Sequence, residues 1–238
     1  TSSDYAAGLR ATIHPSKATP SDLLSGEQTP LEDEETTHFS IIDADGNRVA
    51  GTQTVNLLYG SGLIPPGTGV LLNDEMDDFA LKPGTPNAFG VMGYDANAPK
   101  PGKRMLSSMT PSFMVSPDRV AVLGTPGGSR IITMVLLAML GYDAGLGAQD
   151  VAALPRYHHQ WMPDKVSAET GTFSPAVAQA LQAMGHVLNL PKEAADGRGS
   201  SHTWGNLVTV LWIRGANTLE GGSDPRSPVG KATVELSR

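Results

Sequence analysis

The sequence predicts an α+β protein in which helices pack on a mixed sheet. Three observations support this class: strand patterns that begin near residue 37, two helical segments in the middle of the chain, and a further strand pattern after residue 204. With 238 residues and 39% hydrophobic content, the chain is long enough to bury a core, as one large domain or two small ones.

A β-hairpin is predicted in the first third of the chain. The segments "HFSIID" and "RVAGTQTVN" flank "ADGN", whose Asp-Gly pair favours a tight hairpin turn. A period of two places Thr52, Thr54 and Asn56 on one face of the second strand. That face is therefore a row of hydroxyl and amide groups.

The middle of the chain predicts two helices and further strands. "GTPGGSRIITMVLLAML" is a Gly-rich turn that opens an apolar helix, whose first amides lack partners within the helix and lie at its positive end. "FSPAVAQALQAMGH" predicts a second helix with Ser174 as N-cap, Pro175 in the first turn and Gly185 as the stop. Strands are predicted at "RVAVLG" and "WGNLVTVLWI".

The beginning of the chain predicts a helix over Asp4 to Ile13, followed by an extended linker rich in Pro, Ser and acidic residues. The linker gives way abruptly to "TTHFSIID" at Thr36. Because the chain starts without Met and without a leader pattern, we expect a processed product or a fragment.

Composition excludes several classes of function. The formal net charge is −7 and the 17 basic residues are scattered, which disfavours nucleic acid and anionic membranes as partners. The longest apolar stretch, from Ile131, is shorter than the roughly 20 residues that cross a bilayer, so it predicts a core helix. Without cysteine, the chain has no disulfide, thiolate metal site or cysteine nucleophile.

The two threonines at the start of the predicted strand have two interpretations. A threonine hydroxyl is a poor nucleophile unless a base is close, and the α-amine of an N-terminal threonine is one such base. Cleavage of the Glu35–Thr36 bond would create that amine. Taken alone, Thr36 is more simply a residue that opens a strand.

Seven ordered blocks resemble the gamma-glutamyltranspeptidase family: "TTHFSIID", "TQTVN", "LLNDEMDDF", "KRMLSSMTPS", "GTPGGSRI", "PRYHHQW" and "SDPRS". The resemblance covers nearly the whole chain. It implies an N-terminal-nucleophile hydrolase, a four-layer αββα sandwich that two subunits share. Residues 1–35 would be the tail of the large subunit, and residues 36–238 the catalytic small subunit, with the rest of the large subunit absent from this chain.

The resemblance also implies catalytic roles. Thr36 would be the nucleophile, freed by autoproteolysis, and Thr54 would hydrogen-bond its hydroxyl. The amides of Gly127 and Gly128, at the start of a helix, would form the oxyanion hole. On sequence alone, Thr54 is equally an ordinary strand residue. The glycines also suit a tight turn that needs positive φ, and this is compatible with an oxyanion hole.

A glutamyl substrate carries an α-ammonium and an α-carboxylate. By resemblance, Asn56, Glu75 and Asp78 bind the ammonium, while Ser107 and Ser108 bind the carboxylate. The family's arginine for the carboxylate lies in the large subunit, so this chain alone is not expected to be a competent enzyme. From the residues alone, "NDEMDDF" is also compatible with a solvated acidic loop or a cation site, although its spacing lacks the EF-hand pattern.

His38, His158 and His159 are interpreted as structural. Adjacent His158 and His159 point in different directions on any regular element, and His38 is expected to pack beside Thr36. Two features depart from the family pattern. The loop "KPGTPNAFG" carries Phe89 where tyrosine is frequent, and "EAADGRGSSHTWGNLVTV" is longer and more polar than its counterpart.

The function that the resemblance implies is cleavage of gamma-glutamyl amides such as glutathione through a threonyl acyl-enzyme, with transfer to water or an amine. It implies no cofactor or metal, a heterodimer with the large subunit of the same precursor, and a periplasmic or secreted bacterial protein. Two alternatives stay open: a glutaryl or adipyl cephalosporin acylase, and an uncleaved, inactive binding homologue. Retention of Glu75 and Asp78 favours a glutamyl substrate.

Overall fold

The computed structural model describes residues 2–21, 34–190, 204–227 and 230–234. Most of the predicted acidic linker (residues 22–33) and most of the long polar segment (residues 191–203) lie outside the described residues. The described residues form the following helices and strands: α1 (Ser3–Ala11), β1 (Glu34–Ile42), β2 (Arg48–Leu57), β3 (Ser112–Val115), β4 (Arg119–Gly124), α2 (Ile131–Asp143), α3 (Ala148–Ala153), β5 (Tyr157–His158), β6 (Val166–Ala168), α4 (Pro175–Ala183), β7 (Leu188–Asn189), β8 (Val208–Ile213) and β9 (Thr218–Ser223).

The segment that follows α1 is fixed to the body of the protein. Ser21 is buried, its amide donates to Asp164 Oδ2 at 2.7 Å, and the indole of Trp161 donates to its carbonyl at 3.2 Å. The amide of Ala18 donates to the carbonyl of Met184 at 2.8 Å. The chain that leads toward Thr36 is therefore anchored beside residues 161–164.

Strands β1 and β2 form the predicted antiparallel hairpin. The amide of Asp43 donates to the carbonyl of Asn47 and the amide of Gly46 donates to the carbonyl of Asp43, so the chain reverses in a tight turn within the predicted segment "ADGN". The carboxylate of Asp43 accepts bonds from the amides of Asp45 and Asn47 and from the Asn47 side chain. Because Asp43 satisfies these groups, it stabilises the turn, in which Gly46 adopts φ +82°.

A four-stranded antiparallel sheet forms the centre of the fold, in the order β3-β4-β8-β9. Helices α2 and α3 pack against it, while the β1–β2 hairpin contacts β4 and β8. The apolar core includes Leu123 and Leu211 of the sheet and Ile131, Val135 and Val151 of the helices. A small separate sheet, β5-β6-β7, was not predicted.

Helix α2 buries one face and exposes the other. Met134, Val135 and Ala138 are each 2% exposed, whereas Ile132, Leu136 and Leu140, spaced four residues apart, are each more than half exposed. The apolar helix predicted from Ile131 is thus confirmed, and one of its faces joins the core. Within the described part of the chain, no helix has the length and apolar character needed to cross a membrane.

Candidate active site

The hairpin register sets Thr36 directly opposite Thr54. The hydroxyl of Thr36 donates to Thr54 Oγ1 at 2.9 Å, and the same oxygen accepts the amide of Asn56 at 2.8 Å. The partial burial of Thr36 and this bond favour one side-chain rotamer. The contact between the two hydroxyl groups that the family resemblance implied is therefore present.

An irregularity in the strand ladder lies next to the Glu35–Thr36 peptide. The register shifts between Glu34, which pairs with Leu57, and Thr36, which pairs with Thr54, so β2 has one residue more than β1 there. Asn56, within this bulge, is 4% exposed and has φ +76°. A positive φ at a residue other than glycine is an uncommon conformation that costs free energy, and such residues often cluster at functional sites.

His38 supports the hairpin from within. Its Nδ1 lies 2.7 Å from Thr52 Oγ1 and its Nε2 lies 3.0 Å from Ser40 Oγ, which itself donates to the carbonyl of Val208. Since Ser40 uses its hydrogen there, His38 donates through Nε2 and accepts through Nδ1. Burial lowers the pKa of His38 to about 4, so the ring is neutral near pH 7. These contacts agree with the structural role expected of His38.

The glycine turn (residues 127–130) joins β4 to α2. Gly127 and Gly128 have φ +137° and +49°, both in the region that favours glycine, and residues Gly128–Arg130 form a 3-10 turn that continues into the helix. Backbone amides at such a helix start are suited to hold negative charge. The two glycines are not equivalent, because Gly128 lines the same pocket as Thr36 whereas Gly127 is buried outside the pocket lining.

The Thr36 pocket has a volume of about 340 Å³, including its mouth. It brings together the predicted site residues except Gly127, and three further apolar side chains complete its walls. Its lining consists of Thr36, Thr54, Asn56, Glu75, Asp78, Ser107, Ser108 and Gly128, with Phe89, Met109 and Ile131. Hydroxyl, carboxyl, amide and backbone groups from separate parts of the chain thus meet in one cavity.

Two carboxyl groups give the Thr36 pocket its charge. Burial raises the pKa of Glu75 to about 7, with a further contribution from the charge of Asp78. Burial, followed by the charge of Asp77, raises the pKa of Asp78 to about 6. Oε1 of Glu75 is buried without a hydrogen-bond partner among the described residues. A cation that carries hydrogen-bond donors would satisfy this oxygen and favour both ionised forms.

The Phe89 turn (residues 87–91) forms one wall of the pocket. The sequence did not indicate which residues hold this turn in place. Phe89 is 6% exposed. The side-chain amide of Gln160 donates to the carbonyl of Gly90 at 3.2 Å, and its oxygen accepts the hydroxyl of Ser129 at 2.5 Å. Gln160 therefore joins the Phe89 turn to the glycine turn. The block "PRYHHQW" contains this residue, but nothing in the sequence indicated its partners.

The adjacent histidines point apart. His158 is buried, with Nδ1 2.7 Å from Thr133 Oγ1 and Nε2 2.8 Å from Gln160 Oε1, and burial lowers its pKa to about 4. His159 instead contacts Asp164 at 3.2 Å. The two rings thus have separate structural partners, as their adjacency predicted.

Comparison with known proteins agrees with the blocks in the sequence. Residues 1–234 match the family model described as Gamma-glutamyltranspeptidase. This chain belongs to the gamma-glutamyltranspeptidase family. It is 43% identical over 230 residues to the glutathione hydrolase proenzyme of Escherichia coli K12, covering 95% of this chain and 38% of that protein. It is 44% identical over 222 residues to the proenzyme of Pseudomonas aeruginosa, covering 91% and 37% respectively. The chain thus spans about two fifths of the length of these relatives.

Solved structures of the gamma-glutamyltranspeptidase family share the fold. The enzyme from Pseudomonas nitroreducens complexed with L-DON is 44% identical with a TM-score of 0.70, covering 84% of this chain and 100% of that chain. The T380A mutant from Helicobacter pylori is 38% identical with a TM-score of 0.71, covering 80% and 100%. Cephalosporin acylase from Bacillus halodurans, at 24% identity and a TM-score of 0.71, covers 100% of this chain and 39% of that chain and shares the fold. The fold is therefore that of the N-terminal-nucleophile hydrolases.

Proposed function

We propose that the protein is a gamma-glutamyl transferase and hydrolase that uses Thr36 to cleave gamma-glutamyl amides such as glutathione. One observation carries the proposal: the hydroxyl of Thr36 and the paired carboxyl groups of Glu75 and Asp78 share a pocket. A reactive hydroxyl and a receptor for an ammonium group are what a gamma-glutamyl substrate requires. The family relationship and the names of the relatives support the same activity.

The nucleophile is released when the precursor cleaves itself at the Glu35–Thr36 bond. The hydroxyl of Thr36 attacks the carbonyl carbon of Glu35, the peptide nitrogen leaves as the amine of Thr36, and water hydrolyses the resulting ester. The bulge and the positive φ of Asn56 next to this peptide support a conformation suited to the attack.

The subunit boundary follows from this cleavage. Residues 1–35 form the end of the large subunit, and residues 36–238 form the catalytic small subunit. The name proenzyme, which two of the bacterial relatives share, supports a processed precursor. The matches to two solved family chains cover 80% and 84% of this chain and the whole of each solved chain. The segment that begins at Thr36 makes up a similar share of this chain, which supports a small subunit that starts there.

The freed amine of Thr36 then acts as the base for its own hydroxyl. The hydroxyl oxygen attacks the γ-carbonyl of the substrate, and the amine passes the proton to the leaving nitrogen. The amide of Gly128, which lines the pocket, stabilises the developing oxyanion, whereas Gly127, implied by the resemblance as a second donor, lies outside the lining. The acyl-enzyme is resolved by water, which gives glutamate, or by an amine acceptor, which gives a new gamma-glutamyl compound. No cofactor or metal takes part in these steps.

Substrate recognition divides between two groups of residues in the pocket lining. Glu75, Asp78 and Asn56 bind the α-ammonium, for which the buried carboxyl groups are suited. Ser107 and Ser108 bind the α-carboxylate. Ser107 Oγ accepts the amide of Met109 at 3.2 Å, which leaves its hydroxyl hydrogen for the ligand. By the family resemblance, an arginine of the large subunit supplies the counter-charge for this carboxylate.

The large subunit of the same precursor is the proposed partner. The exposed stripe of Ile132, Leu136 and Leu140 on α2 and the exposed Phe39 and Ile41 on β1 are apolar surfaces that a second subunit would cover. The relatives are long enough to provide such a subunit. We place the protein in the bacterial periplasm or outside the cell, a proposal that rests on the family resemblance.

The test is to express the complete coding sequence and to sequence the N-termini of the purified protein while measuring hydrolysis of gamma-glutamyl and glutaryl anilides. We expect an N-terminus at Thr36 and a preference for the glutamyl compound. An intact 35–36 bond without turnover would instead indicate the inactive binding homologue. A preference for the glutaryl anilide would indicate a cephalosporin acylase. That alternative is supported only by the shared fold.

A further inference from the structure

Asn87 contacts two residues of the Thr36 pocket lining, the acidic Asp78 and the apolar Phe89. Its side-chain nitrogen donates to Asp78 Oδ1 at 3.1 Å. Its side-chain oxygen accepts the amide of Phe89 at 3.0 Å and the amide of Val91 at 2.9 Å. One carboxamide therefore contacts both a proposed substrate ligand and the Phe89 turn.

The oxygen of Asn87 builds the turn. It satisfies the amides of Phe89 and Val91, and the backbone of Asn87 completes the loop by pairing with Gly90 and Val91. This arrangement is the local side-chain mimicry of a backbone turn that Asn, Asp and Ser can provide. It fixes the position from which Phe89 enters the pocket wall.

The side-chain nitrogen of Asn87 acts on the carboxylate of Asp78 rather than on the turn. A carboxamide –NH₂ group can only donate, so the bond to Asp78 Oδ1 requires an accepting oxygen and favours the ionised carboxyl group. It opposes the burial that raises the pKa of Asp78. The bond also restricts rotation of the carboxylate of Asp78, which has a further side-chain hydrogen bond with Glu75.

The far side of the Phe89 turn is fixed by other groups. The amide of Ala88 donates to Asp77 Oδ2 at 3.2 Å, and the carbonyl of Gly90 accepts the side chain of Gln160. These contacts hold the turn without touching the carboxylate of Asp78. Loss of the Asn87 nitrogen should therefore loosen Asp78 while the turn stays in place.

We propose that Asn87 is a positioning residue that orients the carboxylate of Asp78 toward the substrate ammonium and so determines the preference for acyl groups that carry an amine. The inference rests on the proposed function and assigns a substrate-selecting role to a side chain that acts through Asp78. Its effect is specific to ammonium-bearing substrates, because a glutaryl group makes no demand on Asp78.

Asn87→Ser tests the inference, because serine keeps an oxygen for the turn but has no –NH₂ group. In the protein expressed from its complete coding sequence, we expect kcat/KM for gamma-glutamyl anilide to fall about fivefold, mainly through KM, as for loss of one supporting hydrogen bond. Glutaryl anilide should change by less than about twofold. Hydrogen exchange at the amides of Phe89 and Val91 should stay slow, which confirms that the turn is intact.

Asn97→Ser is the matched control. Asn97 donates to the backbone carbonyl of Asp78 at 2.7 Å and accepts the amide of Leu106 at 3.0 Å, so it supports the same residue without touching its carboxylate. We expect both anilides to lose activity in the same proportion. If Asn97→Ser and Asn87→Ser shift the ratio of the two substrates equally, or if Asn87→Ser leaves the ratio unchanged, the inference is overturned.

Asn87→Asp and Asp78→Asn complete the set. Asn87→Asp keeps the turn-forming oxygen but places a second carboxylate against Asp78. It should therefore lower kcat/KM for gamma-glutamyl anilide at least as strongly as Asn87→Ser does. Asp78→Asn reports on the proposed function itself. If Asp78→Asn lowers kcat/KM for both anilides equally, the glutamyl assignment fails. If Asp78→Asn changes the ratio of the two kcat/KM values but Asn87→Ser does not, only the role of Asn87 is rejected.

Discussion

Thr36 and Thr54 are joined across the hairpin by a hydroxyl–hydroxyl hydrogen bond of 2.9 Å, in which Thr36 donates. Thr54 also accepts the amide of Asn56, so its oxygen is held in place by the bulge in its own strand. The hydrogen of Thr36 points toward Thr54, and the lone pairs of its oxygen are left for the pocket. This polarity suits a nucleophile, and it is the basis of the first two predictions.

Thr36→Ala should leave the Glu35–Thr36 bond intact and abolish turnover, because alanine has no hydroxyl for either attack. Thr36→Ser should keep part of both activities, since serine supplies the same oxygen with fewer rotamer constraints. Intact-mass measurement of the purified proteins and an anilide assay check both results. A Thr36→Ala protein cleaved at this bond would disprove autoproteolysis by Thr36.

Thr54→Val should slow both self-cleavage and turnover by about tenfold or more, because valine keeps the shape but provides no acceptor for the Thr36 hydroxyl. Thr54→Ser, the matched control, keeps the acceptor and should retain most of the rate. Time courses of precursor cleavage provide the measurement. Equal rates in the two variants would show that the hydroxyl of Thr54 has no part in orienting Thr36.

Gly128→Pro should lower the rate by about a hundredfold, as does the loss of a single oxyanion-hole donor elsewhere. The donor is a main-chain amide, so proline removes it where a side-chain truncation cannot. Since φ at Gly128 is +49° and proline requires a negative value, circular dichroism and thermal unfolding must show a native fold before the rate is interpreted. A rate within a few-fold of wild type in a folded protein would reject Gly128 as a donor.

Asp78→Asn should lower kcat/KM for gamma-glutamyl anilide at least about tenfold, because a charge-assisted bond to the ammonium is worth about 1.5–3 kcal/mol. Glutaryl anilide lacks the ammonium and is spared the burial of an unpaired carboxylate, so its rate should stay level or rise. Both substrates are measured at one pH near neutrality. If kcat/KM falls by the same factor for both anilides, the main physical support for a glutamyl substrate is removed.

The pH dependence follows from the raised pKa values of Glu75 and Asp78, about 7 and about 6. Below these values the carboxyl groups of the unliganded protein are protonated and cannot attract an ammonium. We expect kcat/KM for gamma-glutamyl anilide to fall as the pH drops from about 7 to below 6, while that for glutaryl anilide depends less on these groups. Parallel pH profiles for the two substrates would contradict the assignment.

The same shifts predict a stability effect of Glu75. Because its pKa is higher in the folded than in the unfolded state, the folded state binds the proton more tightly, and stability is lost as the pH rises from about 4 through about 7. Glu75→Gln should therefore raise Tm relative to wild type at pH 8 and have little effect near pH 4. Thermal unfolding at the two pH values measures this difference, and an unchanged Tm at pH 8 would contradict it.

Local sequence patterns determined the longer elements. The hairpin, β4, β8, α2 and α4 were predictable, because alternation, apolar content and caps are properties of neighbouring residues. Ser174 is a clear case, since its hydroxyl accepts the amide of Val177, as an N-cap should. Strands β5 and β7 have two residues each, and β9 contains the sequence "TLEGGS", so pairing with distant partners rather than propensity makes them strands.

The sequence, through its family blocks, also named the chemical groups of the site, but only the tertiary structure brought them together. Thr36, Asp78, Ser108 and Gly128 are distant in the chain, and the folded structure places them around one pocket. The structure separated Gly128, in the lining, from Gly127, behind it. It also supplied Asn87, since a carboxamide reveals its role only by what its two ends contact. Side-chain hydrogen bonds between distant segments leave no periodic trace in a sequence, because their geometry is set by the packing of whole elements rather than by adjacent residues.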